Sequence, residues 1–275
     1  MQEDFHYYAT YCAAYLSGYS HMESLDIAYS AQFVDCCSRT FLKKVKGPMD
    51  AATTQLQAEL VNCRTDIVGL QDITRIWASF HFLPRDLYAP KAKCTLPYLN
   101  KYRLICGPNG PLAAETVRLA KDKPLQAAGI AMHVLADTWA HMYFAGTPSL
   151  VINNTNYFFY ELCGASAEGK PEESGADAAA EPEQEIEKHI KFRHNASEPD
   201  DLEKGLYSAS LYQNSERSIM NLGHGRAGHL PDYSFIRYKY MPAWAGYEVL
   251  TKDNPSDYFY AFCQMIYALK YLRGS

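Results

Sequence analysis

The chain has 275 residues, of which 48% are hydrophobic, 21% charged and 13% aromatic, a balance that excludes a wholly disordered protein and allows a substantial core. Twenty-six Lys and Arg against 31 Asp and Glu leave a formal net charge of -5, which excludes a general basic field able to draw the protein onto nucleic acid or anionic lipid. No run of about 18 apolar residues is available to cross a bilayer, and Met1-Gln2-Glu3-Asp4-Phe5-His6 lacks the basic and apolar parts of a secretory signal, so a cytoplasmic protein is expected.

The first segment reads as a helix from Phe5 to Leu16, capped by Asp4 and stopped at Gly18. A second helix is expected after a Ser24 cap, with Leu25, Ala28, Ala31, Gln32, Asp35 and Leu42 on one face and Gly47-Pro48 at its end. Asp35 is the odd charge on that apolar face. Residues 53–83 fit a short strand as well as a helix and stay open. From Asp122 to Gly146 the helical signal is strongest, with Pro124 in the first turn and Pro148 beyond the end. Residues 164–187 carry eight acidic residues against Lys170 alone, among Gly, Ala and Pro, and read as a solvated, mobile insertion. Ser256 is expected to cap a final helix that turns Phe259, Phe262, Cys263, Ile266 and Leu269 to the core. Eight Cys without a CxxC pair read as reduced, mostly buried thiols. Together these elements predict an all-α, multi-helix bundle forming one domain over residues 1–275.

The chemistry concentrates on the central helix, where His133, Asp137 and His141 follow one another at intervals of four. Four residues turn a helix by about 400°, so the three side chains form a stripe with about 6 Å between neighbours. His133 and His141 are then about 12 Å apart, too far to share one ion, and Asp137 lies between them with two oxygens. Two metals bridged by Asp137 satisfy this geometry. The flanking residues are apolar almost all round, so these polar groups are expected to be buried and in need of partners. A second cluster, Gly223 to Asp232, places His224, His229 and Asp232 among three glycines, which suits a loop folded around an ion or anion. His6, His81 and Asp35 are outlying candidates.

This order of ligands resembles the zinc-dependent phospholipase C and single-strand nuclease superfamily. The likeness is closer to an uncharacterised bacterial branch, through Asp4-Phe5-His6-Tyr7-Tyr8, Phe80-His81-Phe82-Leu83-Pro84, His133 to Gly146, and Gly223 to Tyr233. The resemblance implies an all-helical fold, two or three zinc ions and hydrolysis of phosphate esters. By position it implies that Asp35, His81, His133 and Asp137 hold a first metal, with Asp137 shared to a second. His6 then belongs to the N-terminal site, and His141, with His224 or His229 and Asp232, to the remaining one. The superfamily sets its later His six residues after the helix Asp, whereas His141 follows Asp137 by four, and Gly228 stands where it has Glu. It also uses an N-terminal amine as a ligand; with five residues ahead of His6, Asp4 is the alternative.

On this reading Asp35 orients or deprotonates the attacking water, and Arg226 neutralises a phosphate oxygen. Tyr7, Tyr8, Tyr143 and Tyr233 neighbour the proposed ligands. The partner is a phosphate-ester substrate, with no stable nucleic-acid complex. Two other readings are a non-catalytic metal-binding helical protein, with a closed coordination sphere, and a di-iron oxidase, disfavoured because no Glu-x-x-His pair occurs on the central helix.

Overall fold

The computed structural model describes residues 1–37, 39–48, 67–87, 103–147, 149, 152–155, 158–163, 186–191 and 223–274. A π-helical turn at Asp4–Ala9 runs directly into helix α1 (Thr10–Leu16), which stops at Gly18 with φ +92°. Helix α2 (His21–Cys36) is capped by Ser20, four residues before the expected Ser24 cap. There Ser20 accepts from the Glu23 amide at 3.3 Å while Glu23 Oε2 accepts from the Ser20 amide at 2.8 Å, a reciprocal capping box. The expected second helix breaks at Cys37, and Arg39–Lys44 forms a short α3. Within the open segment, Ile67–Phe80 is helix α4, and residues 53–66 lie outside the described residues.

The central helix is shorter than expected. Pro111–Ala120 forms a separate α5, with Pro111 at its first position, and the chain turns at Asp122 (φ +61°) before α6 (Leu125–Ala140). Pro124 stands at the N-terminal cap position of α6, and His141 closes the helix. Most of α6 is buried, and its small residues let neighbours approach closely. A Cβ on Gly129 would lie 2.4 Å from the Ile27 carbonyl oxygen of α2. The last helix, after a short α7 (His224–Ala227), is α8 (Asn254–Arg273), with Asp253, not Ser256, at its cap. Tyr258, Ala261, Met265, Ala268 and Leu269 form its core face, whereas Phe259 is exposed.

The all-α expectation is corrected by a four-stranded antiparallel sheet, in the order β2-β1-β3-β4. Its strands are β1 (Phe158–Cys163), β2 (Ile186–Lys191), β3 (Arg237–Tyr240) and β4 (Leu250–Asp253). Apart from Ile186 and Glu187, which open β2, the expected insertion at 164–187 lies outside the described residues. Two apolar clusters result. Phe5, Ile27, Met132, Leu135, Tyr258 and Met265 fill the helical layer, and Phe82, Phe144, Phe159, Leu230, Tyr238 and Tyr240 back the sheet. The C-terminal half of α6 lies where the two meet. No helix among the described residues is long and apolar enough to cross a membrane.

Candidate metal centre

Asp137 is the hub of this seam, with a side chain 1% exposed. Its Oδ1 lies 3.1 Å from His6 Nε2 and 3.0 Å from the Met1 amine; its Oδ2 lies 3.1 Å from His81 Nδ1 and 3.3 Å from His133 Nε2. Asp35, from the C-terminal end of α2, approaches the same group, with Oδ2 3.6 Å from His6 and Oδ1 3.9 and 4.0 Å from His133 and His81. A second cluster sits beyond the end of α6. There Asp232 Oδ1 lies 3.2 Å from both His141 Nε2 and His224 Nε2, and the Met1 amine, 3.4 Å from the same oxygen, stands between the two groups.

The spacing is that of ligand atoms. Around a tetrahedral zinc with bonds of about 2.0–2.1 Å, neighbouring donors are about 3.3 Å apart. Three triplets among the described residues, His6-His133-Asp137, Asp35-His81-His133 and His141-His224-Asp232, each bring their donor atoms within 4.8 Å of one another. The hydrogen-bond pattern points the lone pairs inward. His133 Nδ1 lies 3.0 Å from the Ala31 carbonyl and His141 Nδ1 2.7 Å from the His81 carbonyl. A carbonyl only accepts, so both Nδ1 atoms carry the proton and both Nε2 atoms present a lone pair to the clusters. His6 gives the sharpest test of fit. It is fully buried and neither ring nitrogen has a hydrogen-bond partner; a cation between Nε2 and Asp137 would satisfy that nitrogen.

In the metal-free chain the two carboxylates and His6 are held in their ligating states, while the amine is protonated. Burial alone would raise the Asp137 carboxyl, but His141, the Met1 amine, His133 and His6 hold it well below its ordinary value. Asp232 is likewise held well below by His224, the amine and His141, against burial. Burial opposes protonation of the Met1 amine, yet Asp137, Asp232 and Asp35 together raise it to about 11. His6 is pushed down to about 4, first by burial and then by the neighbouring His133.

Local structure explains how distant segments deliver these groups. The π-helical turn at the N-terminus brings Met1 and His6 inward. The α2–α6 crossing at Gly129 sets the Ala31 carbonyl against His133. After His141 the backbone turns at Tyr143 (φ +80°), where Tyr143 N–H donates to the Cys106 carbonyl and its own carbonyl accepts from Trp244 Nε1 at 2.8 Å. Gly223 (φ +52°) folds the loop that carries His224 so close to Asn153 that a Cβ would meet its Oδ1 at 2.0 Å.

Of the expected ligands, His6, Asp35, His81, His133, Asp137, His141, His224 and Asp232 converge. His229 stands at the rim, 42% exposed, with Nδ1 3.4 Å from Asp232 Oδ2. Arg226 is buried, and its Nη1 donates to Asn154 Oδ1 at 2.9 Å and to the Thr155 carbonyl, so it ties the loop to the chain ahead of β1. Asp4 is exposed, 3.5 Å from the Ser234 hydroxyl, and the Met1 amine lies 3.0 Å from Asp137 Oδ1. Gln2, which approaches His229 at 3.4 Å, gave no signal in the sequence.

Over residues 1–275 the chain belongs to a protein family described as a family of unknown function, DUF6765. No curated protein and no solved structure matches it.

Proposed function

We propose that this member of the family is a zinc-dependent hydrolase of phosphate esters, with the ligand order of the phospholipase C and single-strand nuclease superfamily it resembles. The observation that carries this reading is the convergence on Asp137 of buried His and Asp donors from separate segments, with both nitrogens of His6 left without a hydrogen bond. Asp35, His81, His133 and Asp137 would hold one ion; His6 and Asp137 a second; His141, His224 and Asp232 a third. Bound there, zinc supplies a water acidified towards a pKa of about 7 and a Lewis acid for phosphoryl oxygens.

The chain's own residues supply the remainder. The carbonyls of Ala31 and His81 fix the orientation of the His133 and His141 rings, which aims both Nε2 atoms at the clusters. Asp35 is the exposed edge of the first group, its side chain 27% accessible, and its carboxylate is positioned to accept a proton from an attacking water. Burial would raise its pKa, but His6, His133, the amine and His81 lower it, so Asp35 is ionised at neutral pH. His229, raised by its bond to Asp232 against the effect of burial, offers an N–H to a phosphate oxygen at the rim.

Exposure at Asp35 (27%) and His224 (21%) leaves the clusters open to solvent on one side, which favours hydrolysis over a sequestering site with a closed sphere. Hydrolysis of bis(p-nitrophenyl) phosphate by zinc-replete protein is the test. The expected result is turnover that a chelator abolishes and zinc restores, reduced about a hundredfold or more in Asp35→Asn, whose metal content is measured alongside. Zinc-replete protein inert towards phosphomonoesters and diesters alike would refute the hydrolase.

A further inference from the structure

Asp232 ends a short helical turn, Leu230–Asp232, in which its own amide donates to the His229 carbonyl at 2.9 Å. A turn this short carries few hydrogen bonds of its own, so its shape is set by what grips it from outside. The grip comes from the start of α8. Asn254, the first residue of that helix, is fully buried, and its Nδ2 donates both protons, to the Leu230 carbonyl and to the Tyr233 carbonyl, each at 2.8 Å. Carbonyls only accept, which fixes the amide in this orientation. Its Oδ1 is buried without a partner, an unfavourable placement that the two donated bonds offset. One turn further along α8, the buried Tyr258 donates from its hydroxyl to the Pro231 carbonyl at 3.1 Å, while its ring meets Phe5 edge-on at 4.9 Å. Side chains of one helix therefore bind the backbone on both sides of Asp232.

We propose that Asn254 and Tyr258 are positioning residues of the metal centre, which hold the Asp232 carboxylate against His141 and His224 and set the affinity of that one site for its ion. The inference rests on the metal centre and is independent of hydrolysis. The two imidazoles of the site have supports of their own. His141 is bonded to the His81 carbonyl and stacked on Phe82 at 4.7 Å; His224 stands edge-on to Phe82 at 5.6 Å and beside Phe144 at 5.7 Å. The carboxylate depends on its backbone turn, and the turn depends on α8. Asp35, His81 and His133 are delivered by α2, by the residue after α4 and by α6. Loss of the bonds from Asn254 and Tyr258 therefore acts on the site of Asp232 and leaves the site of Asp35 intact.

Titration of the full chain with zinc against a competing chelator, and with cobalt(II) followed by its visible absorption, tests this. His224→Ala identifies the site: the equivalent and the cobalt band it loses belong to the ion held by Asp232. Asn254→Ala should weaken zinc at that site about tenfold or more and shift its cobalt band. Tyr258→Phe, which keeps the ring against Phe5, should weaken the same site about threefold. The other equivalents should keep their native affinity in both variants. If Asn254→Ala does not fold, Tyr258→Phe decides alone. Native affinity and an unshifted band in the variants would overturn the proposal, and so would equal weakening of every equivalent, the mark of a general loss of stability. Native protein that binds neither metal would refute the centre and this role with it, whereas native binding that the variants leave unchanged would refute the role alone.

Discussion

His6 Nε2 and Asp137 Oδ1 face each other at 3.1 Å with no hydrogen bond between them. A cation between a buried imidazole nitrogen and a carboxylate at that distance satisfies both, and burial disfavours the charged imidazolium that would otherwise pair with Asp137. The pair therefore marks the position where a metal does most for the fold. Replacing His6 by Ala should remove about one equivalent of metal while the far cluster of His141, His224 and Asp232 keeps its own. Elemental analysis of the purified variant checks this; unchanged metal content would mean that His6 is a packing residue.

Acid sensitivity of the metal-free protein follows from the same residue. Its pKa falls from the ordinary 6.5 to about 4 in the fold. Between those values the unfolded chain takes up a proton that the native chain refuses, so stability falls as pH drops from about 6.5 to about 4, by about 3 kcal/mol for this group. Asp137 and Asp232, both held well below their ordinary value, extend the loss at lower pH. His81 acts in the opposite sense: burial lowers its pKa, but its bond to Asp137 raises it on balance, so its contribution is full in acid and lost as pH rises. Chelated protein should melt at lower temperature at pH 4.5 than at pH 7, with a shallower dependence in His6→Asn. A melting temperature flat over that range would contradict the assignment.

Gly129 fixes the distance between the helix that carries Asp35 and the one that carries His133. A methyl group there meets the Ile27 carbonyl oxygen at 2.4 Å and the Ser30 Cβ at 2.6 Å, so Gly129→Ala must push α2 outward. The expected cost is about 1–3 kcal/mol in stability, with weakened metal binding through the displaced Ala31 carbonyl and Asp35. Thermal melts with and without zinc measure both. Wild-type stability and zinc affinity in the variant would show that the crossing has slack.

Lys252 anchors the other end of α6. Its ammonium is fully buried, donates to the Trp139 carbonyl at 2.9 Å and pairs with Asp257. Burial lowers the pKa of Lys252 and raises that of Asp257. Lys252→Met leaves the Asp257 carboxylate without its cation and should cost about 3–5 kcal/mol. Adding Asp257→Asn to Lys252→Met should recover part of it, and a double-mutant cycle by chemical denaturation gives the coupling. Additive effects would mean that the two residues do not act as a pair.

The ligands were legible because His and Asp on an apolar helix stand out chemically, and their order along the chain is unusual. The sheet was not, although Arg237-Tyr238-Lys239-Tyr240 alternates with the period of a strand whose buried face is Tyr238 and Tyr240. Aromatic runs such as Phe158-Phe159-Tyr160 carry no alternation to separate strand from helix. The exit of the chain from α6 at His141 was also hidden, because Cys106 and Trp244, both remote in sequence, hold the turn at Tyr143. The partners of Arg226 were equally remote, since Asn154 lies 72 positions away.

The most direct test of the account is the metal content per chain, by elemental analysis, of protein purified without chelator beside Asp137→Ala. Two or more equivalents of zinc in the native chain, falling by at least half in Asp137→Ala, is the predicted result, because one carboxylate serves both groups around it. Native protein that carries no metal and takes up none from added zinc would contradict the centre and the hydrolase built on it.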